Sequence, residues 1–373
     1  MNILFIQNSL APFRGGIARV SWTLADFLCR NGHECYFAFY NVDTDEISAE
    51  RKLKYPEDIP YDKFKSLIMA FIKQNKIDVI INQDQNEPKY IQLYREIKDI
   101  YIVKIIDCMH NLPDLYKYWP CSWKLAVKLK LFRLKHGYDL YAQEFHDLYQ
   151  VVDRFVLLSN SFIPVAKKCY GIKDDSKLSA ISDPLPFERN TITPFIGKKN
   201  QFLIISRLDD HQKNLRSALR IWQLFEKYQT GYELVLAGYG SDERMLLDYA
   251  KGLGLKYFRF IGKTTDPIPL YEESKYFMLT SRYEGFGMTL VEAQQCGCIP
   301  FAFGTYSALH DIIVSGKDGF IIPNGKEMEY ADAMYHAVTH ETEMKKISEQ
   351  CFYSSHKFAI DNIGKEWLQL LNN

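Results

Sequence analysis

The sequence predicts an α/β protein made of two doubly wound domains that face each other across a cleft. Three observations predict it. Short apolar runs alternate with amphipathic stretches, which means parallel strands joined by right-handed crossovers. The alternation breaks once, near residue 183, where "SDPLPFERNTITPFIGKKNQ" carries Pro184, Pro186 and Pro194 without periodicity, and then restarts. A length of 373 residues exceeds one core of ordinary size and suits two domains.

The elements follow in order. "NILFI" (2–6) reads as a first strand, and "GGIARVSWTLADFLCRNG" (15–32) as a helix. In it Ile17, Val20, Leu24, Phe27 and Leu28 recur at helical spacing and Gly32 supplies the stop. "CYFAFY" (35–40), "DVIIN" (78–82), "YIVKIID" (101–107) and "RFVLLS" (154–159) are further strands. After the break come "FLIIS" (202–206), a helix over 214–228, "YELVLAG" (232–238), a helix over 241–252 and "YFRFIG" (257–262). "YFMLT" (276–280), "IPFAF" (299–303) and "GFIIP" (319–323) complete the second set, and helical sequence runs from about 326 to 371. The expected division is 1–183, a linker 184–199, a second domain 200–345, and a C-terminal helix 346–373 that returns to the first domain. Ligands of such folds bind outside the carboxyl ends of the strands.

Composition narrows the class. Hydrophobic content of 47% and charge of 25% describe an ordinary globular protein. The 46 basic residues balance the 46 acidic ones, so no global field argues for nucleic acid. The eight cysteines lack a C-x-x-C and read as buried thiols of a reducing cytoplasm. The N-terminus reads as a strand and not as a leader. No apolar run approaches a membrane span.

Four stretches carry candidate chemistry. In "SRYEGFGMTLVEAQQCGC" (281–298), Gly285 and Gly287 let the backbone approach a ligand, and the helix that follows turns free N–H groups toward it. A carboxylate accepts two hydroxyl hydrogen bonds at once, so Glu284 could hold a hexose and Glu292 a ribose diol. In "SRLDDHQKN" (206–214), Arg207 and Lys213 project from the end of a strand and its loop, a fork and a point charge suited to a diphosphate. Read alone, that loop is equally a solvated surface of mixed charge, since Asp209 and Asp210 adjoin. Gly15-Gly16 opens the first helix and suits an anion, although "FRGGIA" lacks the dinucleotide fingerprint and is also an ordinary turn. His110, in "IIDCMHNL", follows a strand, either as a site residue or as one more partly buried histidine. Asp43-Thr44-Asp45 has a D-x-D form but lies in a polar loop, and no metal role is assigned to it.

Taken together, the chain resembles the GT-B glycosyltransferases of the large retaining family 4 type. The resemblance rests on an ordered set: Ser206-Arg207-Leu208 with Lys213-Asn214, Gly238-Tyr239-Gly240, Glu284 to Glu292, and Asp311-Ile312-Ile313 with Gly319-Phe320. It departs in having Ser206 where glycine is common. The resemblance implies two Rossmann-like domains, the first on the acceptor side and the second binding the nucleotide sugar. Arg207, Lys213 and Gly16 would meet the donor diphosphate. Glu284, with the backbone of Gly285, Phe286, Gly287 and Met288, would hold the sugar, and Glu292 the ribose. The backbone of Arg259, Phe260, Ile261, Gly262 and Lys263 would face the nucleobase. Gly15 and Gly16 would lie toward the acceptor, and His110 would join Glu284 in the catalytic centre.

The activity implied is retaining hexosyl transfer from a UDP-sugar, with a GDP-sugar second, onto a glycan or lipid-linked acceptor of surface polysaccharide or lipopolysaccharide. No cofactor or metal is expected. Residues 114–135 hold six basic residues against one acid, interleaved with Trp119, Trp123 and Phe132. They read as a dock for an anionic membrane surface, or as a solvated face beside the acceptor, so a cytoplasmic, peripheral enzyme is expected. The rival readings are an inactive scaffold acting as a nucleotide-binding or partner protein, a phosphorylase or epimerase on the same fold, and a Rossmann dehydrogenase, which the missing fingerprint disfavours.

Overall fold

Among the described residues every strand pairing is parallel. The computed structural model describes residues 1–11, 16–84, 88–115 and 138–373. They divide into two units, Met1–Pro186 with Ile360–Asn373, and Phe187–Ala359.

The first unit holds β1 (Asn2–Gln7), β2 (Glu34–Phe39), β3 (Lys52–Lys54), β4 (Val79–Asn82), β5 (Lys104–Met109), β6 (Arg154–Leu157) and β7 (Leu178–Ala180), in the order β3-β2-β1-β4-β5-β6-β7. The second holds β8 (Lys199–Arg207), β9 (Glu233–Tyr239), β10 (Phe258–Gly262), β11 (Ser274–Leu279), β12 (Ile299–Gly304) and β13 (Phe320–Pro323), in the order β10-β9-β8-β11-β12-β13. The direction of winding reverses between β1 and β4 in one sheet and between β8 and β11 in the other. Crossover helices diverge at such a reversal and leave room for a ligand beyond the strand ends.

Runs such as Ile3-Leu4-Phe5-Ile6 and Phe202-Leu203 are buried because a parallel sheet is covered on both faces. In the second unit Phe202 stacks on Tyr276 at 4.6 Å between ring centroids, and the fully buried Trp222 packs beside it. Of the described cysteines, Cys29 is exposed and the others are buried thiols. No described helix is long and apolar enough to cross a membrane.

Two boundaries differ from expectation. The helix Glu341–Ser355 stays with the second unit, because Met344, Ile347 and Cys351 lie in that unit's core and Ser348 donates to the Gly297 carbonyl at 2.6 Å. The return to the first unit begins only at Ile360. The stretch 187–199 is likewise no free linker: Phe195 is buried in the second core, and β8 already begins at Lys199.

The helix Ile360–Asn372 buries Ile360, Ile363, Trp367, Leu370 and Leu371 in the first core. Lys104 Nζ donates to its last carbonyls, Leu370 at 2.7 Å and Leu371 at 3.1 Å, supplying partners that the helix end lacks. Gly364 lies against Phe27, whose ring occupies the space a Cβ would take. Gly364→Ala is therefore expected to destabilise the first unit by about 1–3 kcal/mol, read from urea unfolding.

Candidate functional site

The site in the second unit is built where β8 and β11 end. β8 delivers Arg207 to its carboxyl end, and the chain turns into the short helix Asp210–Lys213. Asp209 caps that helix by accepting from the Gln212 N–H at 3.3 Å. Asn214 takes a left-handed conformation (φ 53°), which frees the chain to start the helix Leu215–Glu226 in a new direction. Asp210 is buried, accepts from Arg216 Nε at 2.7 Å and N at 2.8 Å, and so ties the loop to that helix. The mixed charge of "LDD" is thus partly internal, not a solvated surface.

The loop after β11 is fastened to this one. The Arg282 N–H donates to the Gln212 carbonyl at 2.8 Å, and its guanidinium donates to the carbonyls of Asp210 and His211. Thr280 Oγ1 donates to the carbonyls of Lys213 (3.1 Å) and Asn214 (3.2 Å). Two loops 70 residues apart thereby become one rigid element, the condition for a preorganised site.

On that element Lys213 Nζ lies 2.6 Å from Glu284 Oε1, with Ser281 Oγ donating to the same oxygen at 2.6 Å. Both side chains of the pair are largely buried. Arg207 is more exposed; its Nη2 donates to Gln212 Oε1 at 2.5 Å and meets Asp209 Oδ2 at 3.2 Å. Gln212 in turn donates to the Tyr283 carbonyl at 3.4 Å. The predicted cations and the first predicted acid therefore share one corner of the fold.

Gly287 adopts φ +100° at the start of the helix Met288–Gln295. A Cβ there would overlap the Tyr306 hydroxyl. Phe286 buries its ring against Phe358, 5.3 Å between centroids, so its backbone and not its side chain is what it offers. Glu292 lies on that helix, buried, and accepts from the Tyr271 hydroxyl at 2.9 Å. Burial and, second, the Glu292 charge push the Tyr271 phenol well above its ordinary pKa, so it stays a donor.

Of the five nucleobase-facing candidates, Gly262 and Lys263 sit at the carboxyl end of β10, where Lys263 Nζ lies 4.8 Å from the centroid of the half-exposed Tyr239 ring. Phe260 and Ile261 lie within the strand. The Arg259 side chain is engaged elsewhere, on Glu233 at 3.0 Å near the amino end of β9.

In the first unit His110 follows β5 and is largely buried. Its Nε2 meets Gln83 Oε1, and its Nδ1 lies 3.3 Å from Asp183 Oδ1, close enough for an ion pair but not aligned as a hydrogen bond. Beside it Asn82 Nδ2 and the Tyr94 hydroxyl donate to the buried Asp107, at 2.8 and 3.2 Å. Gly16 opens the helix Gly16–Arg30 and is exposed; Gly15 lies outside the described residues. So does the basic segment 114–135, apart from Asp114 and Leu115.

The residues missed in sequence are Tyr306, Tyr271, Ser281, Gln212, Gln83 and Asp183. Ser281 and Gln212 stood inside stretches read for chemistry, and Asp183 inside the stretch read as a linker. The tyrosines carry no local signal, because Tyr271 meets Glu292 on a later helix and Tyr306 reaches Gly287 from another loop.

Two doubly wound α/β units, the second with cations and a carboxylate at its strand reversal, make up the architecture of the GT-B class. Residues 188–351 match the family described as glycosyl transferases group 1. Over its whole length the chain is 22% identical to a Campylobacter jejuni alpha-1,4-N-acetyl-D-galactosaminyltransferase that acts on an undecaprenol-linked glycan, covering 98% of that protein. It superposes on the Anabaena HepE structure in complex with UDP at a TM-score of 0.76 and 15% identity, each chain fully covered. It superposes equally, TM-score 0.76 and 12% identity, on the pneumococcal O-GlcNAc transferase GtfA in complex with UDP and GlcNAc, covering 100% of this chain and 98% of that one. The chain is a glycosyltransferase of the GT-B fold, in glycan or polysaccharide synthesis.

Proposed function

We propose that the protein moves a hexose, with retention at the anomeric carbon, from a UDP-sugar to a glycan or lipid-linked acceptor of surface polysaccharide or lipopolysaccharide. The observation that carries this is the Lys213–Glu284 pair fixed beside Arg207 at the reversal between β8 and β11. Arg207 and Lys213 neutralise the diphosphate as it leaves. Glu284 accepts hydroxyl hydrogens of the sugar, supported by the N–H groups at the start of the helix Met288–Gln295. Glu292 serves the ribose, and the backbone at Gly262 and Lys263 meets the base. Gly15 and Gly16 lie toward the acceptor and the phosphate. His110 completes the catalytic centre.

The bond from the anomeric carbon to the β-phosphate oxygen breaks with its electron pair passing to the diphosphate. The acceptor oxygen bonds to the same face of that carbon, and its proton passes to the departing phosphate oxygen. No metal takes part: the two side-chain cations carry the charge that a metal would otherwise neutralise. UDP is preferred to GDP because the HepE and GtfA structures hold UDP. The enzyme works in the cytoplasm, against the inner face of the membrane, where a lipid-linked acceptor would present its sugar.

A thermal-shift screen with UDP, GDP and their sugars tests this reading. Ligand at 100 times its Kd adds about 2.7 kcal/mol, and the sugar-dependent part of the shift is expected to vanish in Glu284→Ala. Unchanged melting with every nucleotide and nucleotide sugar would remove the donor assignment.

A further inference from the structure

We propose that Tyr306 is a positioning residue for Glu284, its hydroxyl donating to the carboxylate when Lys213 turns to the donor diphosphate. The inference rests on the donor reading above. Tyr306 follows β12 in the second unit, and its side chain is buried. Among the described residues its hydroxyl has no hydrogen-bond partner. Buried polar groups without partners are uncommon, and each one calls for a reason. Here the hydroxyl stands against Gly287, in the space a Cβ would fill, at the mouth of the helix that carries Glu292.

The Glu284 carboxylate is the charge that this phenol feels. Burial first, and Glu284 second, raise its pKa well above the ordinary value. The phenol is therefore protonated at any working pH and can act only through donation or through a lone pair. Glu284 needs such a donor. Both of its bonds, from Lys213 Nζ and from Ser281 Oγ, fall on Oε1. Among the described residues Oε2 accepts none.

One ammonium cannot hold a carboxylate and a diphosphate equally well. The diphosphate carries the larger charge, so Lys213 gives up part or all of its hold on Glu284 when the donor arrives. A largely buried carboxylate that loses a cation needs another donor to remain ionised and in place. Ser281 remains, and Tyr306 is an unspent donor on a neighbouring loop, which Thr305 ties to the Glu284 loop by donating to the Ser281 carbonyl at 2.9 Å. The Tyr306 bond would form only as the donor binds, which is when it favours the reaction over the resting protein. Gly287 is then required twice: for its φ, and to leave the hydroxyl room.

The variant that isolates this is Tyr306→Phe. In the protein without nucleotide the hydroxyl has nothing to lose, so the melting temperature is expected to stay the same or rise by a degree or two. The Kd for UDP alone, by calorimetry, is expected to stay within about two-fold. Turnover is read as UDP release from UDP-glucose, UDP-galactose or UDP-N-acetylglucosamine in water, which needs no acceptor. There kcat is expected to fall about 10- to 100-fold with KM little changed, the size of one lost bond to a charged group.

A melting point several degrees lower would show the hydroxyl to be bonded in the resting protein and would overturn the proposal. Wild-type kcat in Tyr306→Phe, with Glu284→Ala inactive, would overturn it too while leaving the donor reading intact. If the wild-type protein neither binds UDP nor releases it from any of these sugars, the donor reading falls and this inference with it.

Discussion

Lys213→Ala is expected to lower kcat/KM for sugar transfer by about 10²–10³-fold, the usual cost of deleting one preorganised charge from a transition state. The effect has two sources. The leaving diphosphate loses a fixed cation, and Glu284 is left largely buried with Ser281 as its remaining donor. The first source predicts a much smaller thermal shift with UDP, and the second a modestly lower melting point before any nucleotide is added. Lys213→Arg should recover little, since a rigid planar fork does not replace a compact ammonium at a 2.6 Å contact. Steady-state kinetics and melting curves on the two variants check this. Wild-type turnover in Lys213→Ala would remove the lysine from the site.

The second large effect is expected from Gly238→Ala. Gly238 pairs with Ser206 in the β8–β9 ladder at φ +153°, and a Cβ there would overlap the Ser206 carbonyl. Gly240 is as crowded against the backbone of Leu208. The Gly-Tyr-Gly turn thus lets β9 press against the end of β8, the point from which Arg207 is aimed. Strain and overlap together are expected to cost about 3 kcal/mol, or roughly 6–12 °C in the melting temperature of a unit this size. Differential scanning calorimetry should show the loss in the second unit's transition. An unshifted transition would mean that the turn relaxes without cost.

Much of this architecture was legible because a parallel sheet writes itself into the chain as short apolar runs. Strands β1, β2, β9, β12 and β13 fall within about a residue or two of the runs read from sequence. The short edge strands β3 and β7 were missed: Lys52–Lys54 and Leu178–Ala180 have no apolar run to read. The site was legible where its chemistry sits on loops directly after strands. Arg207, Lys213 and Glu284 meet because the reversal of strand order brings β8 and β11 side by side. What was not legible depends on packing between distant loops. Nothing near Tyr306 announces that its hydroxyl reaches Gly287, and nothing near Asp183 announces that it faces His110. The return of the chain was placed too early because the helices 341–355 and 360–372 both carry apolar faces. Which core each face enters is decided by the partner surface.

The return of Ile360–Asn372 to the first unit sets an order of events on the ribosome. Residues 1–186 emerge early, but the helix that covers Phe27 and Leu28 is translated only after the whole second unit. At ~5–20 residues per second the nascent first half waits roughly 10–35 s with that apolar flank uncovered. Apolar surface left open for that long is the kind that chaperones bind. Arrival of that helix, more than synthesis of residues 1–186, is then the moment at which the first unit matures.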